Sequence, residues 1–170
     1  MTGFEHSTAA LMLYSGMIDH GIECVADIRR RYDGVRRNPW DEAECGHHYA
    51  RAMASWSSLL ALSGFRYRGT ERRVIAAPPA QKARFRCFWS AGGGWGSFSL
   101  EPTRFTLGVT EGALPVRIVE FTGSGRRKQS SVELAGRQLK HKIERRGARS
   151  IVTLDENVSI GPNEQLSIRI

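Results

Sequence analysis

The sequence predicts an α+β chain: a helical N-terminal segment followed by a mostly antiparallel β-rich C-terminal region. Three observations predict it. Up to about Gly64 the apolar residues recur at spacings of three and four, the period of one face of an α-helix. Beyond about residue 84 they alternate with polar residues in short runs divided by Gly, Pro, Asn and Asp, the pattern of half-buried strands. The composition, 41% hydrophobic and 25% charged over 170 residues, is that of a globular chain and not of a disordered one.

Residues 7–14 (STAALMLY) are rich in helix formers and stop before Gly16. In residues 18–32 a single stripe carries Ile18, Ile22, Val25, Ile28 and Tyr32. Arg29, Arg30 and Arg31 crowd its last turn, where cations meet the negative end of the helix dipole, and Gly34 supplies a stop. So short a joint between the two predicts an antiparallel hairpin. Asn38, Pro39 and Trp40 make a turn signal. A third helix spans 46–63. Tyr49, Met53, Trp56 and Leu60 form its stripe, and Ala, Ser and Leu occupy most of its other faces. A helix apolar nearly all round is expected to be buried on every side. Gly64 ends it.

Residues 85–90, 97–100, 104–109, 116–121, 131–134, 139–144, 150–154 and 165–170 read as strands of an antiparallel sheet. The runs on either side of Gly147 predict a hairpin. Residues 1–64 are thus a helical segment, 65–83 a linker and 84–170 the β-rich region. Residues 123–129 (GSGRRKQ) are expected to form a mobile loop.

No apolar run approaches the roughly 18 residues that a membrane-spanning helix needs. The first residues have no basic start, carry Glu5 and His6, and lack a small-residue cleavage site, so they do not read as a signal peptide. Cys24, Cys45 and Cys87 lie far apart and form neither a disulfide framework nor a zinc pattern; buried free thiols in a reducing cytoplasm are expected. The formal charge of +8 is uneven: residues 1–60 hold six Arg or Lys against eight Asp or Glu, and residues 104–150 hold eleven against four. That surplus suits an anionic partner, or the solvated face of a sheet, or an acidic partner domain.

Chemistry concentrates in residues 38–53 (NPWDEAECGHHYARAM). Arg51 falls one turn into the predicted buried helix, where a charge is costly unless paired. Glu42 and Glu44 precede that helix and are placed to fold back over its first turn. The pair is either a structural anchor for the loop or a clasp for the hydroxyls of a polar ligand, with Trp40, Tyr49 and Trp56 as nearby aromatic walls. Two of Asp41, Glu42 and Glu44 could act as an acid/base pair, but neighbouring carboxyls rarely face each other across a substrate. Glu44, Cys45, His47 and His48 have metal-ligand chemistry. However, adjacent histidines diverge on a helix and no second cluster completes the set, so no metal is expected and His48 reads as pocket-lining or capping. Residues 91–96 (AGGGWG) lack the GK[ST] of a phosphate loop and read as a glycine-rich turn presenting Trp95. The basic stretches at 126–128 and beyond lack interleaved aromatics, and nucleic-acid binding is not expected.

Three blocks, in order, resemble glycoside hydrolase family 116, the family of bacterial β-glucosidases and non-lysosomal glucosylceramidases. TGFEHSTAALMLYSGMIDHG is similar to one segment of its catalytic domain, RYDGVRRNPWDEAECGHHYARAMASWSSLLALSGF to a late barrel segment, and FRCFWSAGGGWGSFS to the glycine-tryptophan segment after it. The likeness covers about residues 1–100 closely and the tail loosely. It implies that residues 1–64 are the last helices of an (α/α)6 barrel in a retaining enzyme. Glu42 or Glu44, with Arg51, would match the glutamate and arginine that hold the non-reducing glucose; His48 and Trp40, read above from their positions, are the further candidate substrate-binding residues. No residue here matches the family's nucleophile or acid/base, which lie upstream of these blocks.

The expectation is therefore a C-terminal fragment of a retaining β-glucosidase or glucosylceramidase-like hydrolase, inactive by itself. It contributes glucose-binding residues and needs no cofactor. Its partners would be a β-glucoside or glucosylceramide-like substrate and the rest of the catalytic domain, in cis or in trans. The alternative is a β-rich carbohydrate-binding or interaction module without catalysis, and the second alternative, which the charge of the C-terminal half suggests, is a basic nucleic-acid binder.

Overall fold

The computed structural model describes residues 2–41, 52–80, 83–123 and 130–170. The chain divides into two units, Met1–Leu62 and Ser63–Ile170.

In the first unit, α1 (Thr2–Tyr14) starts earlier than its apolar pattern. The Ser7 and Thr8 hydroxyls are satisfied within the helix, donating to the carbonyls of Gly3 and Phe4 at 3.0 and 2.9 Å. One stripe, Thr2, His6, Ala9, Ala10 and Leu13, is buried. The second helix, α2 (Ile18–Arg31), returns antiparallel, as expected of so short a joint. Gly21 lies against Leu13, the Cys24 thiol lies 3.6 Å from the Glu5 carbonyl, and Arg31 pairs with the Glu5 carboxylate. The helices pack tightly at Gly21, where a Cβ would stand 2.7 Å from the Leu13 side chain. This crossing shifts the buried stripe: Gly21 and Ile28 are buried, and Ile22, expected on the core side, is exposed. The Asn38 turn forms as expected, with the Asn38 side-chain oxygen accepting from the Trp40 amide at 2.9 Å.

The third helix, α3, is described over Ala52–Ser63; residues 46–51 lie outside the described residues. The expectation that it is buried on all sides is corrected. Its apolar stripe faces solvent, with Met53 82% and Trp56 49% exposed and Leu60 also exposed. The small side chains Ser58 and Ala61 are buried instead. An all-round apolar surface states that a helix needs cover on every side; it does not supply that cover.

The second unit is a two-sheet sandwich. The first sheet orders β1 (Phe65–Arg68), β2 (Arg73–Ala76), β6 (Leu114–Thr122), β10 (Arg149–Ile160) and β9 (His141–Arg146). The second orders β3 (Phe85–Ala91), β4 (Gly94–Glu101), β5 (Arg104–Gly112), β11 (Gln165–Arg169), β7 (Ser131–Leu134) and β8 (Arg137–Gln138). The region is mostly antiparallel as expected, with β2 and β6 the one parallel strand pair among the described residues, but it forms two sheets and not one. The stretch 65–83, read as a linker, holds β1 and β2. Their alternation is masked by arginines on the outer face, while Phe65, Val74 and Ala76 turn inward.

The inner faces of both sheets share one apolar core. Phe98, Leu100, Phe105, Leu107, Leu166 and Ile168 come from one sheet and Val119, Phe121, Val152 and Leu154 from the other. Aromatic rings meet across the interface: Phe105 stacks on Phe121 with centroids 5.0 Å apart, and Phe65 on Trp89 at 5.6 Å. Inward positions alternate strictly along β5, β7 and β11, as period-two strands require. In β6 they do not. Leu114 and Val116 point inward, then the phase changes to Val119 and Phe121. The amides of Arg117 and Ile118 both donate to the Arg72 carbonyl, at 2.8 and 3.2 Å. Two residues thus oppose one, which is the geometry of a β-bulge.

Gly96 pairs with Val109 and Gly108 with Ser97, next to the point where β4 and β5 shift register. A Cβ on Gly96 would fall 2.0 Å from the Gly108 carbonyl oxygen, a backbone atom already fixed by the Trp89 indole N–H at 3.0 Å. A Cβ on Gly108 meets nothing closer than 3.7 Å. Gly96→Ala is therefore expected to destabilise the protein by about 3 kcal/mol, the upper end of overpacking costs. Gly108→Ala is expected to change stability by less than about 1 kcal/mol. Chemical denaturation of both variants checks the contrast.

Candidate functional site

The predicted sugar-binding residues Glu42, Glu44, His48 and Arg51 lie outside the described residues, as do Cys45 and His47. Trp40 is described and is 77% exposed at the tip of the Asn38 turn. No group of three or more His, Cys, Asp or Glu stands close enough to hold a metal among them. Cys24 and Cys87 are free and half-buried, less enclosed than expected. Burial raises both thiols above their ordinary pKa; Glu5 and Asp27 add to the effect at Cys24, and the Phe88 amide opposes it at Cys87. Such thiols are poor nucleophiles and poor metal ligands.

What the fold does bring together lies on the outer face of the second sheet. Registry places Arg86 beside Ser99, Ser99 beside Thr106, and Thr106 beside Ser167, one row across four strands. The next row reads Phe88, Ser97, Gly108 and Gln165. Ser90 and Trp95 extend the same face. These positions alternate with the core residues Trp89, Phe98, Phe105 and Leu107, so the sandwich itself decides which side they face. The Ser99 and Thr106 hydroxyls are 2.6 Å apart and bond to each other, and Arg104 Nε donates to Ser167 Oγ at 3.1 Å. Trp95, 48% exposed, donates its indole N–H to a Glu111 carboxylate oxygen at 3.3 Å, which holds the ring. Over Ser97, Ser99, Thr106 and Gln165 runs a groove of about 430 Å3, bordered by Arg84, Arg86 and Glu101.

This arrangement went unseen in the sequence because its parts come from four separate strands, each a lone Ser, Thr or Gln between apolar neighbours. The available signal was the polar half of each alternation, Ser97, Ser99 and Thr106, all small and hydroxylated. The turn at 92–93 does present Trp95, though from inside β4 and not from the turn.

The outer face of the first sheet is different in kind. Glu120 is only 8% exposed, although it points away from the core. Arg149 donates to one of its carboxylate oxygens at 2.6 Å and Arg73 to the other at 3.3 Å, and Arg73 also lies 2.9 Å from Glu71. This is a closed network with the geometry of a structural tie between β2, β6 and β10. At the edge, His141 Nδ1 faces the Leu139 carbonyl at 3.1 Å, so the ring proton sits there and Nε2 accepts from the Ser130 hydroxyl at 2.9 Å. The group orienting the imidazole is thus a neutral carbonyl, not the carboxylate of a catalytic triad.

No family model and no curated protein matches the chain. Among solved structures, alpha-L-rhamnosidase from Dictyoglumus thermophilum is similar over 73% of this chain and 14% of that one, at 10% identity and a TM-score of 0.36. A likeness so slight, over so small a share of the other protein, carries no argument about function.

The raised thiol pKa values give a direct expectation. At pH 7.5 iodoacetamide should alkylate Cys24 and Cys87 severalfold more slowly than a free cysteine, because less thiolate is present. Their rates should still climb with pH where the free cysteine has levelled off. Peptide-resolved mass spectrometry of the labelled chain measures both.

Proposed function

We propose that the chain is part of a glycoside hydrolase of the family 116 type, contributing a sugar-binding wall and not the catalytic carboxylates. The observation that carries the reading is a helix apolar on two opposite sides. One stripe of α1 packs against α2. The opposite stripe holds Phe4 and Leu11, seven residues apart, 67% and 66% exposed. Met53 on α3 adds a further exposed apolar side chain. Exposed apolar surface of this kind marks a missing neighbour. A helix that touches one neighbour on each side is what a closed ring of helices requires, which fits the barrel helices that the three sequence blocks resemble.

On this reading Arg51, with Glu42 or Glu44, orients the hydroxyls of a terminal β-glucoside, and His48 lines the pocket. The parent enzyme works by double displacement through a glycosyl-enzyme intermediate, with both reacting carboxyls supplied from the rest of the barrel. The contribution of Arg51 is positioning and binding energy, not proton transfer.

The purified chain is expected to release no p-nitrophenol from an aryl β-glucoside. A longer polypeptide translated from the in-frame sequence preceding residue 1 is expected to release it. In that polypeptide Arg51→Ala should lower kcat/KM about a hundredfold. Turnover by the chain alone, or preceding sequence without a helical-barrel pattern, overturns the reading.

A further inference from the structure

The groove on the second sheet has a chemistry of its own, independent of the barrel reading. Its floor is a grid of short hydroxyl and amide groups: Ser97, Ser99, Thr106 and Gln165. Neighbouring strands stand about 4.8 Å apart, and same-face residues along one strand about 6.7 Å apart. Donor-acceptor groups therefore recur across the floor at intervals on the order of a sugar ring. Each hydroxyl both donates and accepts, as do the hydroxyls of a saccharide. Gly108 beside Ser97 adds no side chain, which leaves the floor open.

The border is not neutral. Arg84 and Arg86 stand on the β3 side, both exposed, and Glu101 stands at the end of β4. Some arginines of the sandwich have acidic partners: Arg73 has Glu71 and Glu120, Arg137 has Glu156, and Arg146 has Glu144, whereas among the described residues Arg104 bonds only to the Ser167 hydroxyl. Arg84 and Arg86 have no carboxylate partner among the described residues. Two guanidiniums against one carboxylate leave the groove cationic, and a planar fork of donors matches an oxyanion best.

We infer that this groove binds an anionic saccharide: hydroxyls on the Ser97, Ser99, Thr106 and Gln165 floor, and a uronate carboxylate or sulfate ester between Arg84 and Arg86. Neither half suffices by itself. A hydroxyl floor alone would take neutral sugars, and two arginines alone would take any anion.

The test is titration calorimetry of the full chain with three oligosaccharides of equal length: a galacturonide, a sulfated galactoside and a neutral cello-oligosaccharide. At least one acidic ligand should bind about tenfold or more tightly than the neutral one, and which of the two does so identifies the oxyanion. The Arg84→Ala/Arg86→Ala variant should lose about tenfold or more of that affinity. The Arg145→Ala/Arg146→Ala variant removes the same charge from the other sheet and should stay within about twofold, which separates a site from the pull of a chain with net charge +8. All four arginines are exposed, so both variants should keep the parent melting temperature. Equal or better binding of the neutral ligand, equal losses in the two variants, or no binding at millimolar concentration overturns the inference.

Discussion

The constraint on which the sandwich depends is that two sheets must hide one face each in the same core. Phe105 against Phe121 and Phe65 against Trp89 are its visible points of contact. Every strand that spans this core has to alternate, and the alternation then fixes what the other face can be. On the second sheet the outer face carries short polar residues, Ser97, Ser99, Thr106 and Ser167, beside larger ones such as Arg86 and Phe88, because nothing in the unit's own core claims these positions. The two departures from regularity serve the same constraint. The bulge at Arg117 and Ile118 returns β6 to an inward phase, so that Val116 and Val119 both reach the core. Gly96 lets the Gly108 carbonyl approach and leaves room for the Trp89 indole, which is almost wholly buried. Without either, a bulky side chain would point the wrong way or two backbones would collide.

The charge surplus of the C-terminal half takes its meaning from this geometry. A basic composition alone suits nucleic acid, a membrane surface or a solvated sheet equally well. On the first sheet much of it is neutralised in place: Glu120 draws Arg73 and Arg149 together across three strands, and the half-exposed Arg146–Glu144 pair adds little beyond solubility. What distinguishes the second sheet is not the number of its cations but that Arg84 and Arg86 border a hydroxyl-lined groove without acidic mates.

Much of the fold was legible because period carries information that composition does not. All eight strand runs read from the sequence fall on strands, and the hairpin at Gly147 joins Arg146 to Arg149 as expected. The misses have physical causes. In β1 and β2, Arg66, Arg68 and Arg73 hide two short strands whose apolar residues are few. In β10 the run 149–160 crosses Asp155, Glu156 and Asn157, residues that read as a break, yet the strand continues through a shift of register against β6. Sheet number cannot be read from alternation at all, because one large sheet and two facing ones have the same period. The candidate sites divide similarly. A cluster such as Glu42, Glu44 and Arg51 is visible in a line of sequence because its members are neighbours there. A groove made of one residue from each of several strands becomes visible only when registry brings them into a row.

The two units stand in opposite relation to their own apolar surface. In the sandwich the large inward side chains are covered, and among the described residues Trp95 is the large apolar one left in the open, held by Glu111. In the helical unit Phe4, Leu11 and Met53 are all exposed, while Ala9, Leu13 and Ile28 already satisfy the contact between α1 and α2. Burial of apolar area contributes roughly 25 cal/mol per Å2, so a helix that leaves one of two apolar stripes in water forgoes about half of its stabilisation from packing. The sandwich is therefore the part whose architecture its own residues explain, whereas the described helices leave Phe4, Leu11 and Met53 exposed.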